Sequence, residues 1–161
     1  TRFAALAPSG GAVATSDSVR TRLFSLLPHE GGLRPRPVAL GRGLKLPAAA
    51  LCFSPDSSRL VSAALNGRVV VMELSADGVA ELVHMFDHNS VLLSRGLGAA
   101  DNSGRFSLPA EHVSLSPGAQ WAAVGNSHGD VVVYDLDALR PAWLPPAREG
   151  LTSLAFARGP G

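Results

Sequence analysis

Short apolar segments separated by turn residues recur along the chain, and one succession of them is especially clear. Residues 51–53 are apolar and lead into Ser54-Pro55-Asp56, a second apolar segment ends at Asn66-Gly67, and the β-branched segment 69–74 follows. Proline supplies a preset φ at the first turn, and Asn-Gly between apolar segments is a strong hairpin signal. The pattern therefore predicts three consecutive β-strands, with a weaker fourth strand at 81–86.

The same succession returns, because residues 113–136 repeat the order of residues 51–74. A further start occurs at 151–157, and a related segment at 3–26 precedes the first clear copy. Four short strands in a unit of about 40 to 45 residues are typical of one blade of a β-propeller. We therefore predict an all-β chain, a partial β-propeller with about three four-stranded blades plus the first strand of another.

The repeat also predicts the boundaries of the units. Helical spacing of Val79, Leu82, Val83 and Phe86 offers an amphipathic helix over 79–95 as an alternative to the outer strand. Closed propellers use four to eight blades, so the remaining blades are expected from residues outside this sequence or from a partner, and the chain alone is expected to aggregate. The predicted units are 1–46, 47–86 and 111–150, with the start of another at 151–161 and an inserted loop at 87–110.

Composition narrows the class of protein. The 161 residues are 46% apolar, with a mean hydropathy of +0.19, which excludes a disordered chain. A net charge of +1 excludes nucleic-acid binding by bulk charge, although residues 1–45 hold seven cations against two acidic groups. Cys52 is the only cysteine, and no glycosylation acceptor or signal peptide is visible, so an intracellular location is expected. The apolar segments are too short to predict a membrane helix.

The repeat resembles the WD-repeat family. Tyr134-Asp135 stands where that family has Trp-Asp, and Ser54-Pro55-Asp56 matches its usual strand-end turn. No Gly-His dipeptide opens a repeat, and Met72-Glu73 and Phe24-Ser25 occupy the other strand ends. The hydrogen-bonded tetrad of the family is therefore expected to be incomplete, and the blades are degenerate.

Over most of its length the chain is similar to the C-terminal propeller of the cirhin family, WD-repeat components of the small-subunit processome. Segments 19–26, 53–60, 84–86 and 116–134 carry this similarity in their order and intervals. The resemblance implies a non-catalytic scaffold in the nucleolus whose partners are other WD-repeat processome subunits and pre-ribosomal RNA. A WD-repeat adaptor elsewhere, such as a ubiquitin-ligase substrate receptor or a vesicle-coat subunit, is the alternative.

Several motifs resemble catalytic sites but fail on their context. Gly125-Asn126-Ser127-His128-Gly129 matches a nucleophile elbow, yet the strand-forming residues 131–133 follow it where that elbow needs a helix, so it predicts a hairpin turn. The glycine-rich segments 41–46 and 96–101 lack the third small residue of a dinucleotide loop. A propeller hydrolase would gather carboxylates or histidines in its channel, and the sequence shows no such cluster. We predict no enzyme activity and no small-molecule substrate.

Metal and thiol chemistry are also disfavoured. His84 and His88 lie four residues apart, but neither a Glu after His84 nor a third ligand accompanies them, so surface or strand-end histidines are expected. Cys52 lies between Leu51 and Phe53 in an apolar strand and predicts a buried, inert thiol. Neither a metal nor another cofactor is predicted.

The remaining candidate is a basic segment between the first two units. One interpretation is a solvated linker that Pro35 and Pro37 hold extended. The other is a contact to RNA phosphate or to an acidic partner, because the fork of an arginine binds such groups bidentately. The candidate contact residues are Arg34, Arg36, Arg42 and Lys45.

Overall fold

A computed structural model describes residues 2–75, 79–94, 96, 109–145, 147 and 150–157. Within these residues the chain forms three four-stranded antiparallel sheets, each built from four consecutive strands in sequence order. Sheet 1 consists of β1 (Phe3–Leu6), β2 (Ala12–Ser16), β3 (Thr21–His29) and β4 (Gly32–Val38). Sheet 2 consists of β5 (Ala48–Phe53), β6 (Arg59–Ala64), β7 (Arg68–Leu74) and β8 (Ala80–Asp87). Sheet 3 consists of β9 (His112–Leu115), β10 (Trp121–Gly125), β11 (Val131–Asp135) and β12 (Arg140–Trp143).

The sheets pack face to face, and sheet 2 lies between the other two. Alternate side chains of its strands point to opposite faces, so Leu60 and Met72 belong to a core shared with sheet 1. Val61 and Val71, each one residue away, belong to a core shared with sheet 3. Both faces of β5, β6 and β7 are therefore largely buried, which explains why these strands are mostly apolar, whereas the outer strand β8 is largely exposed.

The first strand of each sheet lies on the inside of the stack. β1 contacts β5, and β5 contacts β9. Residues of these three strands and residues 152–154 line a common opening. The arrangement confirms the predicted architecture, in which successive blades place their first strands around one axis.

The turns between first and second strands repeat one geometry. The hydroxyl of Ser54 accepts the backbone N–H of Arg59 at 2.8 Å, and the hydroxyl of Ser116 accepts that of Trp121 at 3.0 Å. In both turns the residue three positions after the serine has a positive φ. The Ser-Pro motifs thus join the first two strands of sheets 2 and 3, as their sequence predicts.

The edge strand β4 carries a proline at every second position near its end. Pro35 pairs with Leu26 and Pro37 pairs with Phe24 in the register with β3. Proline has no backbone N–H to donate. A strand therefore accommodates it at positions where an N–H would point away from the paired strand. The free edge of β4 consequently lacks two donors, which protects it against pairing with a further strand.

The first residues of the insertion predicted at 87–110 form a helix rather than a loop. β8 runs to Asp87, and the helix α1 (His88–Leu93) follows directly. The Asp87 carboxylate caps α1 by accepting the N–H of Ser90 at 3.0 Å, and Leu92 is buried in the core between sheets 2 and 3. The alternative helix over 79–95 is wrong for 80–87, where the outer strand forms. Residues 95 and 97–108 of the insertion lie outside the described residues.

The predicted opening strand at 151–157 does not form, because no ladder joins this segment to a sheet. Its position is nevertheless beside sheet 3, where His112 Nε2 donates to the carbonyl of Leu151 at 3.1 Å. The boundaries of the predicted units stay predictions. No helix within the described residues is long and apolar enough to cross a membrane.

Substituting Gly125 is expected to release the segment 151–157. A Cβ at Gly125 would lie 2.5 Å from Leu151 Cδ2 and 3.1 Å from Leu154 Cδ1, so Gly125→Ala should push both leucines away. Hydrogen exchange read by mass spectrometry should become faster in 151–157 and remain slow in β10. Gly118→Ala is the matched control, because a Cβ there meets nothing within 4 Å. Unchanged exchange in the Gly125 variant would contradict the docking of this segment.

Candidate functional site

The structure divides the predicted basic segment between two places. Arg34 and Arg36 are exposed residues of the edge strand β4, so the prediction of a linker is wrong for them. The linker becomes a strand because residues 32–38 pair with β3 in a regular register. Arg42 opens a 3-10 turn, Arg42–Leu44, in the connection to sheet 2, and Lys45 directly follows that turn.

Lys45 lines a crevice at the start of β3, which we call the cationic crevice. Two arginines from outside the predicted basic segment line the same crevice. Arg20, Arg22 and Lys45 contribute the charge, and the half-buried Phe24 contributes an aromatic ring. The volume of the crevice is about 310 Å³. Its other lining residues are Thr21, Leu23, Pro37, Val38, Ala39 and Leu40.

Asp17 holds the side chain of Arg22 and the backbone at Arg20 in the cationic crevice. Its Oδ1 accepts hydrogen bonds from the backbone N–H groups of Val19 and Arg20 at 2.8 and 2.9 Å. Its Oδ2 accepts a hydrogen bond from Nη1 of Arg22 at 2.5 Å. The hydrogen bond from the backbone N–H of Arg20 has the largest effect on the pKa of the Asp17 carboxyl, and the bond from the Arg22 guanidinium the next largest. Together they hold its pKa well below its usual range. The carboxylate therefore stays charged near neutral pH and holds Arg22 in place.

A signal for the two arginines was present in the sequence. Arg20 and Arg22 flank Thr21 at the start of an apolar strand. Residues two positions apart in a strand place their side chains on the same face, so the two arginines are expected side by side. What the sequence did not show is that Lys45, after the 3-10 turn, returns to the same place. The contact is made through Thr21, whose N–H donates to the carbonyl of Lys45 at 3.2 Å.

A second depression, the inter-sheet groove, runs between sheets 1 and 2. Its inner part, about 450 Å³, is lined by apolar residues such as Ala12, Leu27 and Leu74 and by the hydroxyls of several serines. Its outer part, about 350 Å³, is lined by Leu27 again and by the segment Arg34-Pro35-Arg36-Pro37. Ser25 and Leu27 line the inner part and pair with Arg36 and Arg34 across the β3–β4 ladder, so the two arginines lie at the outer end of the groove.

Of the two positions expected for His88, a surface position is wrong, whereas a strand-end position is right, because His88 directly follows β8. The side chain is fully buried at the start of α1, and its Nδ1 lies 2.6 Å from the hydroxyl of Tyr134. Burial lowers the pKa of His88 to about 4, although the carboxylates of Asp130 and Asp87 act in the opposite direction. His84, by contrast, lies in β8 and packs edge-on against Phe86 at 4.4 Å. Within the described residues no cluster of ligands could hold a metal.

The His88–Tyr134 pair joins sheets 2 and 3. Tyr134 lies in β11, is fully buried, and packs its ring against that of Phe86 in β8 at 4.3 Å between centroids. Burial raises the pKa of the Tyr134 hydroxyl, so the phenol keeps its proton. The pair is thus a buried polar contact between α1, which follows sheet 2, and sheet 3.

The nucleophile-elbow motif is a hairpin turn, as predicted. It joins β10 to β11, and Asn126 holds it by accepting the N–H groups of His128 and Asp130 on Oδ1 at 3.0 and 3.1 Å. The Asn126 amide also donates to the Asp130 carboxylate at 3.0 Å. The motif therefore connects two strands, whereas a nucleophile elbow connects a strand to a helix.

The other candidates have structural roles or lie outside the described residues. Cys52 is only half-buried in β5, against the core between sheets 2 and 3, and this burial raises the pKa of its thiol. The glycine-rich segment 41–46 contains the 3-10 turn rather than the start of an α-helix. Residues 97–101 of the second glycine-rich segment are not among the described residues.

Comparisons with known proteins address the fold. No family model and no curated protein matches the chain. Among solved structures, the β-propeller domain of Cps50 (Swd1) from Myceliophteria thermophila matches with a TM-score of 0.59 and 14% sequence identity. The match covers 97% of this chain and 46% of the other. The chain has the β-propeller fold.

At 14% identity the likeness establishes the fold of the propeller and not a shared activity. The chain spans less than half the length of that structure, as three sheets would of a larger ring. Propellers commonly act as scaffolds that bind protein partners through their loops and faces. The cationic crevice borders sheet 1, and the inter-sheet groove borders sheets 1 and 2.

Proposed function

We propose that the protein is a non-catalytic WD-repeat scaffold of the small-subunit processome, acting in the nucleolus during pre-ribosomal RNA processing and assembly of the small ribosomal subunit. The observation that carries the scaffold role is the stack of three rigid sheets, whose cores are apolar and whose turns and outer strands are exposed. The resemblance of four sequence segments to the cirhin family supports the processome as its setting. Its partners there are other WD-repeat subunits.

The cationic crevice is the part of this scaffold that we propose contacts pre-ribosomal RNA. Arg20 and Lys45 make no ion pair within the described residues, and Arg22 offers further N–H groups beyond the one given to Asp17. Phe24 supplies a ring on which a base can stack, and a basic groove with aromatic rings is how proteins hold single-stranded nucleic acid. Arg42 lies in the turn that leads to this crevice.

Affinity purification of the intact tagged protein from cells tests the setting. We expect recovery of WD-repeat processome subunits together with pre-ribosomal RNA. Recovery of a ubiquitin ligase or of vesicle-coat subunits without nucleolar proteins would overturn the processome proposal and favour an adaptor in that other complex.

Crosslinking and sequencing of the bound RNA tests the crevice in the same material. The double variant Arg20→Ala with Lys45→Ala should weaken crosslinking and lower the salt dependence of RNA binding, by a slope of about 0.7 for each phosphate that is no longer neutralised. Arg68→Ala with Arg140→Ala removes the same charge from exposed positions of sheets 2 and 3 and should leave the slope unchanged. Equal slopes in both double variants would contradict RNA binding at the crevice.

A further inference from the structure

We infer that the inter-sheet groove binds an extended peptide segment of a partner protein, with acidic residues of that segment against Arg34 and Arg36 and apolar residues farther in. This inference rests on the scaffold part of the proposed function, because it names the chemistry of one partner. It is independent of whether that partner belongs to the processome.

The walls of the groove belong entirely to sheets 1 and 2. Ser25 and Leu27 of β3 form one side, and Leu74 and Ser75 form the other. The backbone N–H of Ser9 donates to the hydroxyl of Ser57 at 3.0 Å, which ties the first turns of the two sheets together. Since both walls are fixed by packing and by this bond, the groove exists before a ligand arrives, which reduces the ordering cost of binding.

Apolar contact is available along the floor. Leu27 is 44% exposed although it lies in the middle of the groove and lines both of its parts. Ala12, Val38 and Leu74 continue the apolar lining towards the inner end. A concave apolar surface with a few polar groups at its rim is the usual form of a binding site.

Charge fixes the direction of the peptide. Arg34 and Arg36 are exposed at the outer end, two residues apart in one strand, and neither makes an ion pair within the described chain. At the inner end, Asp56 carries a negative charge, because hydrogen bonds from the hydroxyl of Ser54 and from Ser58 lower the pKa of its carboxyl. Acidic side chains are therefore attracted to one end of the groove and repelled from the other.

The lining favours a peptide over RNA. No aromatic side chain lines either part of the groove within the described residues, so a base would find no ring on which to stack. The serine hydroxyls can form hydrogen bonds with the main chain of an extended peptide, and the exposed Leu27 can contact its alternating apolar side chains. The aromatic ring on sheet 1 that could serve RNA belongs to the cationic crevice instead.

Selection from a displayed library of random linear peptides, with the intact protein as target, tests the inference. The native protein should enrich peptides that have acidic residues at one end followed by apolar residues. Arg34→Glu with Arg36→Glu should reverse the preference to basic residues, and should weaken the best acidic peptide about 10- to 100-fold in a fluorescence titration. Leu27→Asp should weaken both acidic and basic peptides, because it places a charge on the apolar floor.

Arg68→Glu with Arg140→Glu is the matched control, since it changes the net charge equally at exposed positions outside the groove. Its selected peptides should be those of the native protein. An unchanged selection after reversal of Arg34 and Arg36, or displacement of the bound peptide by a short oligouridylate at equal charge, would overturn the inference. If the protein forms an intact processome complex but its groove selects no such peptide, the inference about the groove is overturned and the proposed function stays in place.

Discussion

Replacing Tyr134 with alanine is expected to lower the free energy of unfolding by about 4 kcal/mol, the usual cost of deleting a buried aromatic ring. The ring is fully buried between sheets 2 and 3, packs on Phe86 at 4.3 Å between centroids, and holds His88 through its hydroxyl. Its removal leaves a cavity at the junction of the sheets and leaves the Nδ1 of a buried histidine without its partner. Urea denaturation followed by circular dichroism measures the loss.

Tyr134→Phe separates the two contributions of this side chain. It keeps the ring and deletes only the hydroxyl, so we expect a smaller loss of about 1 to 2 kcal/mol from the unpaired histidine nitrogen. A phenylalanine variant as unstable as the alanine variant would mean that the ring contributes little. Equal stability of the native protein and the phenylalanine variant would show that the hydrogen bond contributes nothing.

The stability of the native protein is expected to fall as the pH decreases from 6.5 towards about 4. The reason is His88, whose pKa is lowered over this same interval when the protein folds. Its folded pKa is the lower one, because burial disfavours the charged imidazolium. In this range the unfolded chain therefore binds more protons than the folded chain, so acid favours unfolding. The histidine contributes full stability above pH 6.5, and about 3 kcal/mol is lost by pH 4.

His88→Gln checks that prediction, since glutamine cannot titrate. Chemical denaturation at a series of pH values should show a flatter dependence between 6.5 and 4 in this variant than in the native protein. His128→Gln, at an exposed position of the hairpin turn, should keep the native dependence. If both variants show the native slope, the acid sensitivity comes from groups other than His88.

The strands and most turns could be predicted because they depend on local chemistry. The β-branched segments 69–74 and 131–136, the Ser-Pro turns and Asn66-Gly67 each specify their own conformation, and the structure places β7, β11 and the hairpins there. Repetition strengthened the prediction, since two weak copies of one pattern support each other. A helix was offered only as an alternative over 79–95, and the bounds of α1 were not predicted, because its six residues depend on the Asp87 cap and the burial of Leu92 rather than on periodicity.

The functional surfaces were harder to predict because they depend on distance in space. Arg34 and Arg42 are close in sequence but lie on different elements, whereas Arg20 and Lys45 are far apart in sequence and line one crevice. The burial of His88 could not be predicted, because nothing in its neighbourhood indicates the tyrosine of sheet 3 that it meets. Pairings between sheets leave no periodic mark in either sequence segment.

The order of strands within each sheet has a kinetic consequence. Every strand pairs with its immediate neighbour in the chain, so the β1–β2, β5–β6 and β9–β10 hairpins each close over a short loop. Short loops lose little entropy on closure, and folding is faster when contacts are local. Pairing within each sheet therefore forms contacts that are local in sequence, and only the docking of one sheet on the next joins residues that are far apart in the chain.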